Sequence, residues 1–180
     1  MITLHLVRHG ESEWNALGLV QGQRRDIALT KRGRRQARQT AARVAALEPA
    51  HLVTSDLARA LQTARAIEEA TGLVASVDER LRERSYGADE GRPGHEVAAL
   101  GDPVLCSLGG ESFSEVAARV RSWLADVAGE VPDDAVVVAV THGDVISAAL
   151  ASLEPSSPLA PPANGAIASL RLEKADELAS

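Results

Sequence analysis

Two kinds of apolar pattern alternate along this chain, and each marks a different element. Ile2 to Val7 is apolar apart from Thr3 and His5 and stops at Arg8, the pattern of a buried strand. Thr30 is placed to cap a helix opening at Lys31, whose Ala37, Ala41, Val44 and Ala45 share one face before Pro49. Leu52-Val53-Thr54 is a short strand ending in Ser55-Asp56, and Leu57, Ala60, Leu61, Ala64 and Ile67 carry a second helix up to Gly72. Leu73 to Val77 reads as a third strand. Ser112 and Glu115 form a capping box for a helix carried by Val116, Val120, Leu124 and Val127 and ended by Gly129. Ala135 to Val140 is apolar on both faces, as a central strand covered by helices must be. Asp144 opens a last helix through Val145, Ile146, Ala149 and Leu150. A loop with Pro155, Pro158, Pro161 and Pro162 then leads to alternating Ala168, Leu170 and Leu172, an edge strand.

Strands that alternate with helices predict an α/β fold of three layers, with a mainly parallel central sheet flanked by helices. The N-terminal strand and the Val-rich strand belong near its middle. Residues 1–180 read as one domain. The region from Asp78 to Gly110 breaks the pattern with Gly, Pro and charge and has room for one short helix. Within it, a loop-rich lid is expected at about 85–110, and excursions of that length in a compact domain usually serve function.

Composition narrows the class. Hydrophobic residues make up 45% of the 180 positions but aromatics only 2%, so the core must be built from Ala, Val, Leu and Ile. A net charge of −6 argues against nucleic acid or an anionic membrane as the main partner. One basic stretch opposes that average: Arg24, Arg25, Lys31, Arg32, Arg34, Arg35 and Arg38. It reads as a solvated helix face, or as a draw for anionic substrates. Cys106 stands alone, which rules out a disulfide framework or a cysteine metal site within one chain. No run approaches a membrane span, and no basic-then-apolar leader precedes the first strand, so a cytoplasmic protein is expected.

The candidate chemistry sits where strands end. Arg8-His9-Gly10 follows the first strand, and ligands in open α/β sheets bind at the carboxyl ends of strands. Taken alone, the tripeptide reads equally as a polar strand end with a turn glycine. If the strands are parallel, however, Arg8, His9, Arg59, Glu83 and His142 all gather at one rim, and none is needed there for packing. A phosphoryl group wants forked cations, neutral donors and a helix N-terminus. Arg8 and Arg59 supply the fork and His142 a further donor. Nearby guanidinium groups would keep His9 neutral enough to attack, and Glu83 could protonate a leaving alkoxide.

Leu6-Val7-Arg8-His9-Gly10-Glu11-Ser12, then Asn15 and Gln21-Gly22, resembles the opening signature of the histidine phosphatase superfamily, the phosphoglycerate mutase-like fold. Leu29-Thr30 with Gly33 and Gln36-Ala37 is similar to its next segment. The resemblance continues through Ser55-Asp56-Leu57 with Arg59-Ala60 and Gln62-Thr63-Ala64. Leu81-Arg82-Glu83 with Gly87 and Glu90-Gly91, Gly110-Glu111-Ser112, Thr141-His142-Gly143 and Asn164-Gly165 complete it in order. It implies that His9 is the phosphorylated nucleophile, that Arg8, Arg59 and His142 hold phosphate, and that Glu83 is acid and then base. It also implies a hydrogen bond from Asn15 to the phosphate, and places Gln21, Gly22, Tyr86 and Gly143 among the phosphate- or substrate-binding residues. No cofactor and no metal are implied. The expected activity is hydrolysis of small phosphorylated metabolites, in the phosphatase branch. A cofactor-dependent phosphoglycerate mutase is one alternative, since Leu81, Glu83-Arg84 and Tyr86-Gly87 are similar to its segment. A silent binder of phospho-ligands or of a protein is the other. Oligomeric state is open, a homodimer included.

Other polar residues read more plainly. Glu111 and Ser112 are caps, His5 a satisfied core histidine, His51 a strand-edge residue and His95 a solvated loop residue. Cys106 is a small hydrophobe, Trp14 a wall of the pocket and Trp123 packing. Asp89 stands where relatives often carry Trp, which predicts a more polar wall at that point.

Overall fold

In the computed structural model, which describes residues 1–153 and 161–173, five strands form one sheet in the order β3-β2-β4-β1-β5. They are β1 (Ile2–Arg8), β2 (His51–Thr54), β3 (Ser76–Val77), β4 (Val136–Thr141) and β5 (Ile167–Leu172). All pairings are parallel except β1 with β5, which is antiparallel at the sheet's edge. The α/β class, the central place of the Val-rich strand and the edge place of the last strand are thus as expected. Pro155 and Pro158 lie outside the described residues.

Alternation along the strands builds the three layers. Ile2, Leu4, Leu6, Val137 and Ala139 face α6 (Phe113–Glu130) and α7 (Gly143–Leu153). Val7, Val138, Val140 and Leu52 face the other side, where they meet α2 (Lys31–Ala45) and α3 (Ala58–Thr71). Both faces of β1 and β4 are therefore apolar because both are covered. Thr30 caps α2 by accepting the Gly33 N–H, and the Ser112–Glu115 capping box opens α6.

Several boundaries differ from the sequence reading. β3 is only two residues long, because side chains take the preceding backbone donors. The Leu73 N–H goes to Thr71 Oγ1 and the Ala75 N–H to Glu68 Oε1. α6 runs past Gly129 and stops at Val131, the residue before Pro132, where the helical conformation is disfavoured. The region after β3 holds two short helices, α4 (Gly94–Val97) and α5 (Asp102–Ser107), with 3₁₀ turns at Glu79–Leu81 and Gly87–Asp89. A further short helix, α1 (Glu13–Leu17), follows β1. It buries no side chain, and a Ser12–Asn15 capping box holds it.

The loop leaving β1 is pressed onto the first turn of α2. A Cβ at Gly33 would run into the Glu11 carbonyl, and one at Gly10 into the Gly33 carbonyl, backbone against backbone. Only glycine permits that approach. Gly129, by contrast, lies inside α6 with nothing within 4 Å of a Cβ. Gly33→Ala is therefore expected to destabilise by ~2 kcal/mol. Gly129→Ala should stabilise by ~0.5–1 kcal/mol through helix propensity. Urea unfolding midpoints of the two variants, moving in opposite directions, check this.

Candidate active site

The chain leaves β1 at His9, whose N–H still bonds Thr141 O at the end of β4, at 3.1 Å. His142 follows Thr141 at the head of α7. Because β1 and β4 are neighbours in register, the two imidazoles meet, with ring centroids 5.1 Å apart and a tilt of 58°. Arg59 comes from the first turn of α3, and Glu83 from the segment after the first 3₁₀ turn. Arg8, His9, Arg59, Glu83 and His142 thus lie together at the rim where the strands predicted them. His9 is 1% exposed, and Arg59 and His142 are fully buried.

The ring roles follow from hydrogen bonding. His9 Nδ1 lies 2.7 Å from Gly10 O, and a carbonyl can only accept, so Nδ1 carries the proton and Nε2 offers its lone pair. Burial, then the charges of Arg59 and Arg8, holds its pKa well below the usual imidazole value. The direction is the one expected from the neighbouring guanidinium groups, but burial is the larger cause. His142 is shifted down likewise, by burial and then by Arg59, and pairs through Nε2 with Ser55 Oγ at 2.9 Å.

Arg59 stays a cation at neutral pH, although burial lowers its pKa to about 10. Its terminal nitrogens donate to Gly22 O at 2.8 Å and Arg24 O at 3.1 Å, fixing the loop that carries Gln21 and Gly22. Arg8 Nη1 donates to Pro162 O. Arg8 Nε, Arg59 Nε and His142 Nδ1 are buried and have no hydrogen-bond partner among the described residues. Buried nitrogens without partners demand an explanation; the two Nε–H groups suit an anion, and His142 Nδ1 joins them in the tautomer that protonates it.

Glu83 departs from the simple picture. Its Oε2 accepts from the Gly143 N–H at 3.1 Å, and its Oε1 from the N–H groups of Asp144 at 3.2 Å and Arg84 at 3.0 Å. The N-terminus of α7 is thus turned on the carboxyl of Glu83. Close backing on Arg8 and Pro161 leaves no room for a Cβ at Gly143. Burial first, then the Asp144 carboxylate, raises Glu83 to about 7. Asp144 Oδ2 in turn accepts from Tyr86 Oη at 2.6 Å.

A cavity of about 190 Å³ opens over this ground, lined by Arg8, Val20, Gln21, Gly22, Glu83, Tyr86, Gly143, Asp144 and Pro161. Gln21, Gly22, Tyr86 and Gly143, expected among the binding residues, all line it. Asn15 is not in the wall, and neither are the buried His9, Arg59 and His142. Asn15 Oδ1 accepts from Ser12 and from Asn164 Nδ2, which also donates to His9 O, so only its amide nitrogen is left to point elsewhere. Trp14 packs towards Gly91 rather than lining the cavity. Asp89 is buried against Arg92 and does not reach the wall either; the acid that does is Asp144. A larger hollow of about 500 Å³ at the β3 edge shares none of these residues.

Among the other polar residues, His5 is paired with Ser169, Trp123 is core, and His51 and His95 are exposed. Cys106 is exposed in α5 rather than packed. The positioning groups missed from sequence are Arg119, Asp56 with Arg82, and Asp144. Arg119 donates to the carbonyls of Arg80, Arg82 and Glu83, clamping the loop of the acid from α6. Asp56 receives both forks of Arg82. Glu111 is more than a cap, because it bridges Arg119, the Ser85 N–H and Gln23. Among the described residues, no cluster of three or more His, Cys, Asp or Glu could hold a metal ion, and no helix is long and apolar enough to cross a membrane.

The sequence model of the histidine phosphatase superfamily (branch 1) matches residues 4–175. The chain belongs to that superfamily. It is 38% identical over 153 residues to a protein of Enterobacter sp. (strain 638) named probable phosphoglycerate mutase GpmB, across 79% of this chain and 70% of that one. It is 37% identical over 166 residues to the glucosyl-3-phosphoglycerate phosphatase of Mycobacterium tuberculosis (strain ATCC 25618 / H37Rv), across 83% and 74%. A solved mycobacterial glucosyl-3-phosphoglycerate phosphatase, in complex with VO3, superposes with a TM-score of 0.81 at 34% identity, covering 94% of this chain and 92% of that one.

In this histidine phosphatase the raised Glu83 has a kinetic signature. With Glu83 as the proton donor, the kcat/KM for an alkyl phosphate is expected to fall as pH rises through about 7, because the proton that a poor leaving group needs is lost. An activated aryl phosphate should lack that limb. Ionisation of the ester itself acts on both substrates, so the difference between the two pH profiles isolates Glu83. Identical profiles would place the proton donor elsewhere.

Proposed function

We propose that this chain is a phosphomonoester hydrolase of small phosphorylated metabolites, working through a phosphohistidine on His9. The observation that carries this reading is the presence of three unpartnered buried nitrogens, Arg8 Nε, Arg59 Nε and His142 Nδ1, close to a neutral imidazole. In the first step His9 Nε2 attacks phosphorus, the ester P–O bond breaks, and the leaving alkoxide takes the proton of Glu83. In the second, water attacks phosphorus, its proton goes to the Glu83 carboxylate, the P–N bond breaks and phosphate leaves. Arg8 and Arg59 carry the positive charge that the transferring group needs, and Asn15 offers it a further hydrogen bond from its amide nitrogen.

His9→Ala is expected to abolish turnover of both aryl and alkyl phosphates while leaving cooperative unfolding intact, since the residue sits beyond a strand end. Wild-type enzyme quenched during turnover should carry acid-labile, base-stable phosphate on His9. Retained activity in the variant, or phosphate on serine, would overturn the mechanism. Pure wild-type protein that binds vanadate but turns over no aryl phosphate would be the silent binder.

The names of the GpmB relatives favour a second reading, that of a mutase. A mutase must hold a carboxylate-bearing substrate in two orientations and keep water from its phosphohistidine. Between Gly91 and Ser114 the chain has a single cation, Arg92, and Asp89 and Glu96 hold it. Arg84, which resembles the mutase segment, is committed to Asp102 and Glu111 O. With 3-phosphoglycerate and a priming bisphosphate, free phosphate should therefore appear faster than 2-phosphoglycerate. Isomerisation outrunning phosphate release would make the chain a mutase.

A further inference from the structure

The cavity wall joins groups of opposite character. Arg8 lines it and, with Arg59 buried nearby outside the lining, is suited to a phosphoryl group. The rest of the wall, where the leaving group of a bound ester would lie, is Val20, Gln21, Tyr86, Asp144 and Pro161. Its one formal charge besides Glu83 is the half-buried carboxylate of Asp144.

No cation in the described surroundings is uncommitted enough to cancel it. Arg84 stacks on the Tyr86 ring, 5.4 Å from its centroid, but its donors go to Asp102 and Glu111 O. Arg24, on the loop beside Gly22, pairs with Glu90 at 3.6 Å. Arg92, whose carbonyl accepts the Val20 N–H, is held by Asp89 and Glu96. The sequence of residues 154–160, leading into Pro161, contains Glu154 and no Lys or Arg. Tyr86 meets the Asp144 charge only through one hydroxyl, on Oδ2, and so leaves Oδ1 as an acceptor.

We propose that this wall selects phosphate esters whose leaving group carries hydrogen-bond donors, an amino alcohol or a small polyol, and rejects those with a carboxylate beside the ester. The proposal rests on the hydrolase reading above. A hydroxyl or ammonium on the leaving group donates to the Asp144 carboxylate, a charge-assisted bond. A carboxylate there would bring a third acidic group alongside Glu83 and Asp144, with the neutral Gln21 amide but no uncommitted cation on that wall to receive it. The size agrees. About 190 Å³ is below the roughly 300–1,000 Å³ of ordinary small-molecule sites, which suits a leaving group of few carbons, with Val20 and Pro161 against its skeleton.

The test compares kcat/KM for phosphoethanolamine, glycerol 3-phosphate and 3-phosphoglycerate, with 4-nitrophenyl phosphate as the control for the hydrolase itself. Wild-type enzyme should prefer the first two over 3-phosphoglycerate by about tenfold or more, the scale of one charge contact in a partly solvated site. Asp144→Asn should collapse that preference by about tenfold, mostly through KM. The substitution also alters Glu83, but that change acts on all three alkyl esters together and cancels in their ratio. Tyr86→Phe, which removes the hydroxyl and keeps the charge, should preserve the wild-type preference. Hydrolysis of the aryl ester combined with a preference for 3-phosphoglycerate, or with a ratio unmoved by Asp144→Asn, would overturn the inference and leave the hydrolase standing. An equal collapse in Tyr86→Phe would also overturn it, by assigning the discrimination to shape. No turnover of the aryl ester would instead sink the hydrolase reading.

Discussion

The parallel pairing of β1 with β4 is the constraint on which the site depends. The ladder runs in register from Thr3 opposite Val136 to Arg8 opposite Thr141, and the next residue on each strand is a histidine. Both strands are buried on both faces by alternating side chains, so a slip of one residue would turn every apolar side chain onto the wrong layer. Register is therefore set by packing well below the rim, and the 5.1 Å meeting of His9 and His142 is its consequence. Neither imidazole has to stabilise the fold in order to be positioned by it.

Burial then does two opposite things with one cause. Removing water from the rim disfavours every charged form there, which lowers the proton affinity of His9 and His142 and raises that of Glu83. The same exclusion of solvent thus suits both roles proposed here, a neutral nucleophile at His9 and a protonated acid at Glu83 near neutral pH. Arg59 survives as a cation because a guanidinium starts so high that a fall to about 10 leaves its charge untouched, which a lysine so deeply buried could not promise.

The parts legible in the sequence were those governed by local pattern. The strand ends that deliver Arg8, His9 and His142, the Thr30 and Ser112 caps, and the Val-rich centre of the sheet all follow from periodicity or from residues three positions apart. What stayed hidden depends on partners distant in sequence. Arg119 reaches loop carbonyls nearly forty residues away, Arg82 meets Asp56, and the backbone of α7 grips Glu83. α1 has no buried face to give it a period; only the Ser12–Asn15 spacing could have announced it. Asp89 drew attention as a departure from the family pattern, yet its side chain turns to Arg92, because a motif position fixes where a residue stands and not where it points.

The use made of α7 decides how this site divides its charge. A helix N-terminus is a natural cradle for phosphate, but here its first N–H groups are given to Glu83, and Asp144 adds a second carboxylate to the same turn. The positive end of the helix is thereby matched to acids, which in the proposed mechanism leaves the charge of a phosphoryl group to Arg8 and Arg59. That allocation also explains how Glu83 can accept three backbone hydrogen bonds and still hold its proton to about pH 7. Such bonds favour the ionised carboxylate, but burial and the neighbouring Asp144 charge outweigh them. Asp144 accepts from the Tyr86 hydroxyl at 2.6 Å, and both residues stand in the cavity wall. One carboxylate thus contributes both to the protonation of the acid and to the polarity that an incoming ester meets.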